Sequence, residues 1–106
     1  MRGVTQLPSD KIEEMVTRKH DLEFQLSLSR EIMANRDILP FPIHRSVMLL
    51  AKAKRYQEAL EICQYVEQWC LNAEADFDGK SAMVWRSPKL ENCISRIPGL
   101  RKKLEN

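Results

Sequence analysis

Two helical patterns that meet at a short polar corner constrain the fold of this chain more than any other feature. The first pattern covers about residues 42–54 and the second about residues 57–75. In each, apolar or small residues recur every three or four positions, as they do on the buried face of a helix. The corner is Lys54-Arg55-Tyr56, so we expect two helices folded back on each other at the centre of the fold.

The rest of the chain supplies helices that can cover this hairpin. Residues 1–8 show no periodicity and are expected to form a flexible N-terminus. Apolar residues three and four apart predict one long helix over residues 10–35, and a closing helix over residues 87–104 follows a loop over residues 74–86. A chain of 106 residues with 43% apolar residues suits a single domain. The predicted fold is therefore all-α, a small bundle of about four helices around the antiparallel hairpin.

The corner of the hairpin carries a specific pattern: Leu49-Leu50-Ala51, then Tyr56, then Ala59-Leu60 and Val66. This pattern resembles one tetratricopeptide-type (TPR) helical hairpin, present as one partial copy over about residues 42–70. Lys54 stands where that repeat prefers glycine, and no second copy lies about 34 residues away in either direction. The resemblance implies a helical hairpin that presents a groove to a protein partner.

Residues that could perform catalysis or hold a metal are few and scattered. The glycines stand only at positions 3, 79 and 99, so no glycine-rich phosphate loop exists. The two histidines and three cysteines have no zinc-site spacing. Glu74, Asp76 and Asp78 match the first ligand positions of a calcium-binding loop, but Trp85 stands where that loop needs a glutamate. We therefore expect no enzymatic activity, no catalytic residue, no bound metal and no cofactor.

The favoured interpretation is a non-enzymatic protein–protein interaction module, such as an adaptor, an inhibitor or a small regulatory subunit. The face that TPR-like hairpins usually offer corresponds here to the outer side of the second helix. The candidate partner-binding residues on that face are His44, Arg45, Met48 and Lys52. Trp85 and Arg86, in the loop before the closing helix, form a second candidate surface.

Binding to nucleic acid is the alternative interpretation. From Gly79 onward the chain has seven basic and two acidic residues, a net charge of +5 within a total of +2. Trp85 lies among these basic residues, and aromatic side chains interleaved with Lys and Arg suit base stacking and phosphate contact. The alternative is thus a nucleic-acid-binding regulatory protein that uses the basic C-terminal segment with Trp85.

The long first helix predicts self-association. A helix over residues 10–35 would be about 38 Å long, whereas the hairpin helices would reach only about 20–28 Å. Met15, Leu22 and Leu26 would then be partly uncovered, and a second copy of the chain would cover them in a homodimer. The other interpretation is that the closing helix and the loop before it fold over this stripe.

The cysteines and the N-terminal residues indicate the compartment. Cys63, Cys70 and Cys93 make an odd count without a CxxC pair, which favours free structural thiols in a reducing compartment. The first residues lack the basic and apolar regions of a signal peptide, and the longest apolar run is far shorter than a membrane span. We therefore expect a cytoplasmic protein.

Overall fold

The computed structural model describes the backbone of residues 9–77 and 87–105, and the side chains of residues 13–73 and 87–105. The described residues form six α-helices and no strand, which confirms the predicted all-α bundle. The helices are α1 (Ser9–Thr17), α2 (Leu22–Ala34), α3 (Pro40–Lys52), α4 (Tyr56–Phe77), α5 (Pro88–Ser95) and α6 (Ile97–Glu105). Within the described ranges, no helix is both long enough and apolar enough to cross a membrane.

The hairpin of α3 and α4 is the centre of the core. A turn over residues 53–55 joins the two helices, which pack against each other. Both helices contribute side chains with 0% exposure: Ile43, Val47, Leu50, Ala59, Cys63 and Val66. The small side chain of Ala59 lets the two helix axes approach closely beside the corner. The remaining helices pack on this hairpin, α2 against α3, α5 against both hairpin helices, and α6 against α4.

The helix α3 begins at Pro40, two residues before the predicted start at Pro42. Leu39 precedes it in an extended conformation, with φ of −144°, which is the conformation that a following proline favours. Both prolines fit the first turn of the helix, because the first N–H groups of a helix have no partner within it.

The prediction of a single helix over residues 10–35 is wrong. The helix α1 ends at Thr17, and a separate helix, α2, begins at Leu22. Asp21 caps the second helix, its carboxylate accepting a hydrogen bond from the Phe24 N–H at 3.1 Å. The buried side chain of Gln25 donates from Nε2 to the Met15 carbonyl at 2.9 Å and to the Arg18 carbonyl at 3.0 Å. One polar side chain thereby satisfies two carbonyls at the end of α1, where the chain turns toward α2.

The break also removes the predicted overhang of the first helix. The helices α2 and α3 both have 13 residues and therefore match in length. Met15 is 7% exposed and Leu26 is 2% exposed, while Leu22 is half-buried against the core. The expectation that Met15 and Leu26 lie partly uncovered is wrong, whereas Leu22 does remain partly exposed, and the structure gives no support to a homodimer that uses these residues.

The predicted closing helix over residues 87–104 consists of two helices, α5 and α6, that change direction at Arg96. Pro98 has no N–H to donate to the carbonyl four residues earlier, so a single continuous helix would lose a hydrogen bond there. The other boundary that differs is the end of α4, which runs to Phe77. Glu74 and Asp76 therefore belong to a helix rather than to the predicted loop.

Two helices end in the same type of left-handed turn, although neither turn contains glycine. After α3, Lys54 has φ of 62°. The Lys54 N–H donates to the Ala51 carbonyl at 3.1 Å and the Arg55 N–H to the Leu50 carbonyl at 2.8 Å, which is the Schellman pattern. Arg36 has φ of 57° and ends α2 in the same way. Both positions are strained, because the left-handed region disfavours residues that have a Cβ atom.

We predict that Lys54→Gly stabilises the protein by about 1 kcal/mol, because glycine adopts this φ without strain. Lys54 is exposed, so the change removes no packing contact. Urea unfolding at constant pH measures the difference. The matched control is Lys52→Gly, within the last turn of α3, which should destabilise by about 0.5–1 kcal/mol. A loss of stability in Lys54→Gly equal to that in Lys52→Gly would contradict the left-handed turn.

Candidate functional site

A surface groove lies where the hairpin corner meets the last two helices. It has a volume of about 390 Å³. The apolar part of its lining comes from Ala51 near the end of α3, Tyr56 at the start of α4, and Leu100 of α6. Leu100 is only 5% exposed, so it joins the groove to the core below. We call this feature the corner groove.

The polar part of the corner groove comes from Ser95, Arg96 and Lys103. The Lys103 Nζ atom lies 5.3 Å from the centroid of the Tyr56 ring, a cation–π contact between α6 and α4. Ser95 donates from Oγ to the Asn92 carbonyl at 2.8 Å, within its own helix. The lining of the groove thus combines apolar side chains with two cations.

A hydrogen-bonded chain fixes Arg96 at the edge of the corner groove. Its Nε donates to Asn92 Oδ1 at 2.7 Å, and the same oxygen lies 3.0 Å from Nε2 of His44. Because a carbonyl oxygen can only accept, His44 carries its proton on Nε2 and donates it. A histidine of α3 therefore helps to orient an arginine of α5 that lines the groove.

Gly99 leaves an open space within the corner groove. A Cβ atom placed on Gly99 would meet no atom within 4 Å. Glycine inside a helix costs about 0.5–1 kcal/mol of stability relative to alanine. Packing against the described residues does not require the glycine here, so what it provides is open surface beside Tyr56 and Leu100.

Two arginines outside the corner groove, Arg55 and Arg30, are paired with a carboxylate. Arg55 holds Glu58 with two hydrogen bonds of 2.7 and 2.8 Å, and Arg30 reaches the same carboxylate at 2.9 Å. These contacts, the one to Arg55 first, hold the pKa of Glu58 below its usual range. Within the described residues, by contrast, neither Arg96 nor Lys103 has a carboxylate at ion-pair distance. The groove is therefore a place where positive charge is left without a partner.

The predicted contact residues on α3 do not form one outward face. His44 is half-buried and contacts Asn92 of α5, and Arg45 donates from Nε to the Lys19 carbonyl at 3.1 Å. The expectation that both face away from the fold is wrong, because each is used to bridge to a neighbouring segment.

The remaining predicted contact residues have different positions. Met48 is half-buried, and Lys52 is exposed directly after Ala51, beside the corner groove. Trp85 and Arg86 lie outside the described residues. The role of all six predicted residues in binding a partner stays a prediction.

A second cavity of about 290 Å³ lies between the end of α2 and the middle of α4. Two aromatic side chains of α4 line it, and their polar atoms are committed to the turn after α2. The Tyr65 hydroxyl donates to the Asp37 carbonyl at 2.6 Å, and Trp69 donates from Nε1 to the Arg36 carbonyl at 3.1 Å. Burial is the main cause that raises the pKa of Tyr65. These contacts secure the strained turn, so we assign this cavity a structural role.

The thiols and the acidic residues offer little chemistry in the described part of the chain. Cys63, Cys70 and Cys93 are buried and form no disulfide bond within the described residues, as the sequence predicts for structural thiols. Cys63 and Cys93 are hydrogen-bonded to each other, and this contact together with burial raises the pKa of Cys63. No group of three or more His, Cys, Asp or Glu side chains within the described residues could hold a metal ion.

Comparison of the chain with protein-family models, with curated proteins and with solved structures finds no match. The resemblance of residues 42–70 to a TPR hairpin stays a prediction.

None of the seven residues that line the corner groove is among the predicted site residues. Arg96, Gly99 and Lys103 are spaced three and four apart, and that spacing could have indicated one common face across the end of the chain. The predicted closing helix over residues 87–104 contains all three residues, but the sequence does not show that their face meets the corner of the hairpin. Tyr56 is more than forty residues away along the chain, and no sequence signal joins it to α6.

The environment of His44 predicts that the stability of the folded protein depends on pH. Burial lowers the pKa of His44, and the charges of Arg96, Lys89 and Arg45 lower it further. The folded state then binds fewer protons than the unfolded state. The contribution of His44 to the free energy of unfolding is therefore complete above the unfolded pKa of about 6.5 and is lost as the pH falls below it. Urea unfolding at about pH 7.5 and about pH 5.5 should show this loss in the parent and much less of it in His44→Gln.

The matched control for this prediction is Gln64→Ala, at an exposed position of α4 without a titratable group, which should keep the full pH dependence. The window lies above the titration of the carboxylates, so acid unfolding does not contribute. An identical loss of stability in the parent and in His44→Gln would contradict the assignment.

Proposed function

We propose that this protein is a non-enzymatic protein–protein interaction module that holds a segment of a partner protein in the corner groove. The observation that carries the proposal is the open space at Gly99, in a groove whose lining combines apolar side chains with two cations that have no carboxylate partner within the described residues. A glycine in the first turn of α6, beside the half-buried Ala51 and Tyr56, leaves room for close approach by another chain. An adaptor, an inhibitor or a small regulatory subunit would each use such a groove.

The shape of the corner groove favours a chain segment over a small ligand. Small-molecule sites enclose most of the surface of their ligand. Here Ser95, Gly99 and Lys103 are all exposed, so the groove is open along one side. A peptide segment can lie along such a surface and insert one side chain beside Tyr56.

The hydroxyl in the groove supports a binding role rather than a catalytic one. A serine nucleophile needs a base that accepts its proton. Ser95 instead donates that proton to the Asn92 carbonyl, and the nearby His44 uses its Nε2 proton for the Asn92 side chain. Both groups are engaged in holding α5 in place.

We predict that Gly99→Phe weakens binding of the partner at least about tenfold, because the new ring fills the groove. The partner is first captured from the native host by cross-linking and is then purified. Its affinity for the purified full chain is measured by isothermal titration calorimetry. Gly99→Phe should fold, because Gly99 is exposed and the new side chain has open space.

Gly99→Ala is the matched control. It removes the same glycine and adds only a methyl group, so it should bind as well as the parent and should be slightly more stable. Unchanged affinity in Gly99→Phe, with circular dichroism showing the same helix content as the parent, would show that the partner binds elsewhere and would overturn the proposal.

A further inference from the structure

We infer that the segment held in the corner groove is acidic, with carboxylates on either side of one large apolar side chain. This inference rests on the proposed function and names the chemistry of the partner. It follows from the charge of the groove, from the way its cations are held, and from the space beside Gly99.

The charge around the corner groove is positive and is not neutralised within the described residues. Arg96 and Lys103 line the groove, and its lining contains no acidic side chain. The first turn of α6, which contains Gly99, also has no acidic residue.

The cations are held in place before any partner binds. The bond from Arg96 Nε to Asn92 leaves the terminal nitrogens of its guanidinium group for a carboxylate. Lys103 is positioned over the Tyr56 ring. Groups that are already ordered lose less side-chain entropy when they form an ion pair, so these two positions favour binding of a carboxylate.

The apolar part of the groove requires a different group between the carboxylates. The half-buried Tyr56 and Ala51 and the space at Gly99 line a volume of about 390 Å³, with Leu100 buried below them. A leucine or phenylalanine side chain placed there would remove the exposed apolar part of this lining from water, which favours binding. Charge attracts the segment and the apolar side chain fixes its position.

The same geometry disfavours nucleic acid in this groove. Binding to single strands relies on aromatic rings whose faces are free to stack on bases. Tyr56 is the aromatic residue of the groove, and the Lys103 ammonium group lies over its ring. The ring is therefore committed to a cation, whereas an acidic peptide would use both groups together.

The test uses the full chain and a fluorescein-labelled synthetic peptide of about fifteen residues, in which glutamates flank one leucine, as a designed helical ligand. Two matched peptides carry glutamine in place of every glutamate, or alanine in place of the leucine. Fluorescence anisotropy at about 50 and about 300 mM salt measures affinity, since ion pairs at the surface weaken with salt. The acidic peptide should bind at least about tenfold more tightly than either matched peptide, and less tightly at the higher salt concentration.

A charge-reversal variant tests whether the acidic peptide binds in the corner groove. The Lys103→Glu variant should no longer bind the acidic peptide and should instead bind a peptide with lysine in place of each glutamate. Because Lys103 is exposed, its replacement leaves the core intact. Lys19→Glu, at an exposed lysine of the turn between α1 and α2, is the matched control and should leave affinity unchanged. Arg96→Gln is a second variant, and it should weaken binding of the acidic peptide several-fold.

The outcomes separate this inference from the proposed function. Equal affinity for the glutamate and glutamine peptides, or no binding of the acidic peptide, overturns the acidic occupant. If Gly99→Phe still weakens binding of the purified partner, the groove remains the interaction site. If a single-stranded oligonucleotide displaces the acidic peptide at lower concentration than the unlabelled peptide does, the inference is overturned in favour of nucleic acid.

Discussion

The packing of α3 against α4 is the interaction on which the rest of the structure depends. Val47 and Leu50 from one helix and Ala59, Cys63 and Val66 from the other are completely buried. Every other helix from α2 to α6 packs on one or both members of this pair. The strained turn at Lys54 has to be stabilised by that packing, because its left-handed conformation costs about 1–2 kcal/mol. The corner groove exists because this turn brings the start of α4 next to α6.

The second requirement is that α5 be held at one angle to the hairpin. Asn92 accomplishes this by accepting hydrogen bonds from His44 on one side and Arg96 on the other. The histidine that the sequence suggests as a surface contact is thus part of the support for the groove. Protonation of His44 would add charge beside Arg96, which lines the corner groove.

The sequence predicts the all-α class and the hairpin, because helical spacing records which face of a helix is buried. It does not predict the break between Thr17 and Leu22. That break depends on Asp21 as a cap and on Gln25 as a partner for carbonyls up to ten residues earlier, and such polar contacts leave no periodic signal. The corner groove depends on a contact between Tyr56 and Lys103, which the sequence separates widely. The positive charge of the C-terminal segment is visible in the sequence, but its place beside an apolar surface is a consequence of the fold.

The central claim is that the space at Gly99 is open in the free protein. Solvent paramagnetic relaxation enhancement of the free, isotope-labelled chain with a soluble gadolinium chelate measures this directly. The Gly99 Hα that occupies the side-chain position should relax as strongly as the Hα of the exposed Lys102, while the buried Leu100 side chain stays protected. If Gly99 is as protected as Leu100 in the monomeric free chain, another part of the protein already fills the groove, and the account of it as a binding site is contradicted.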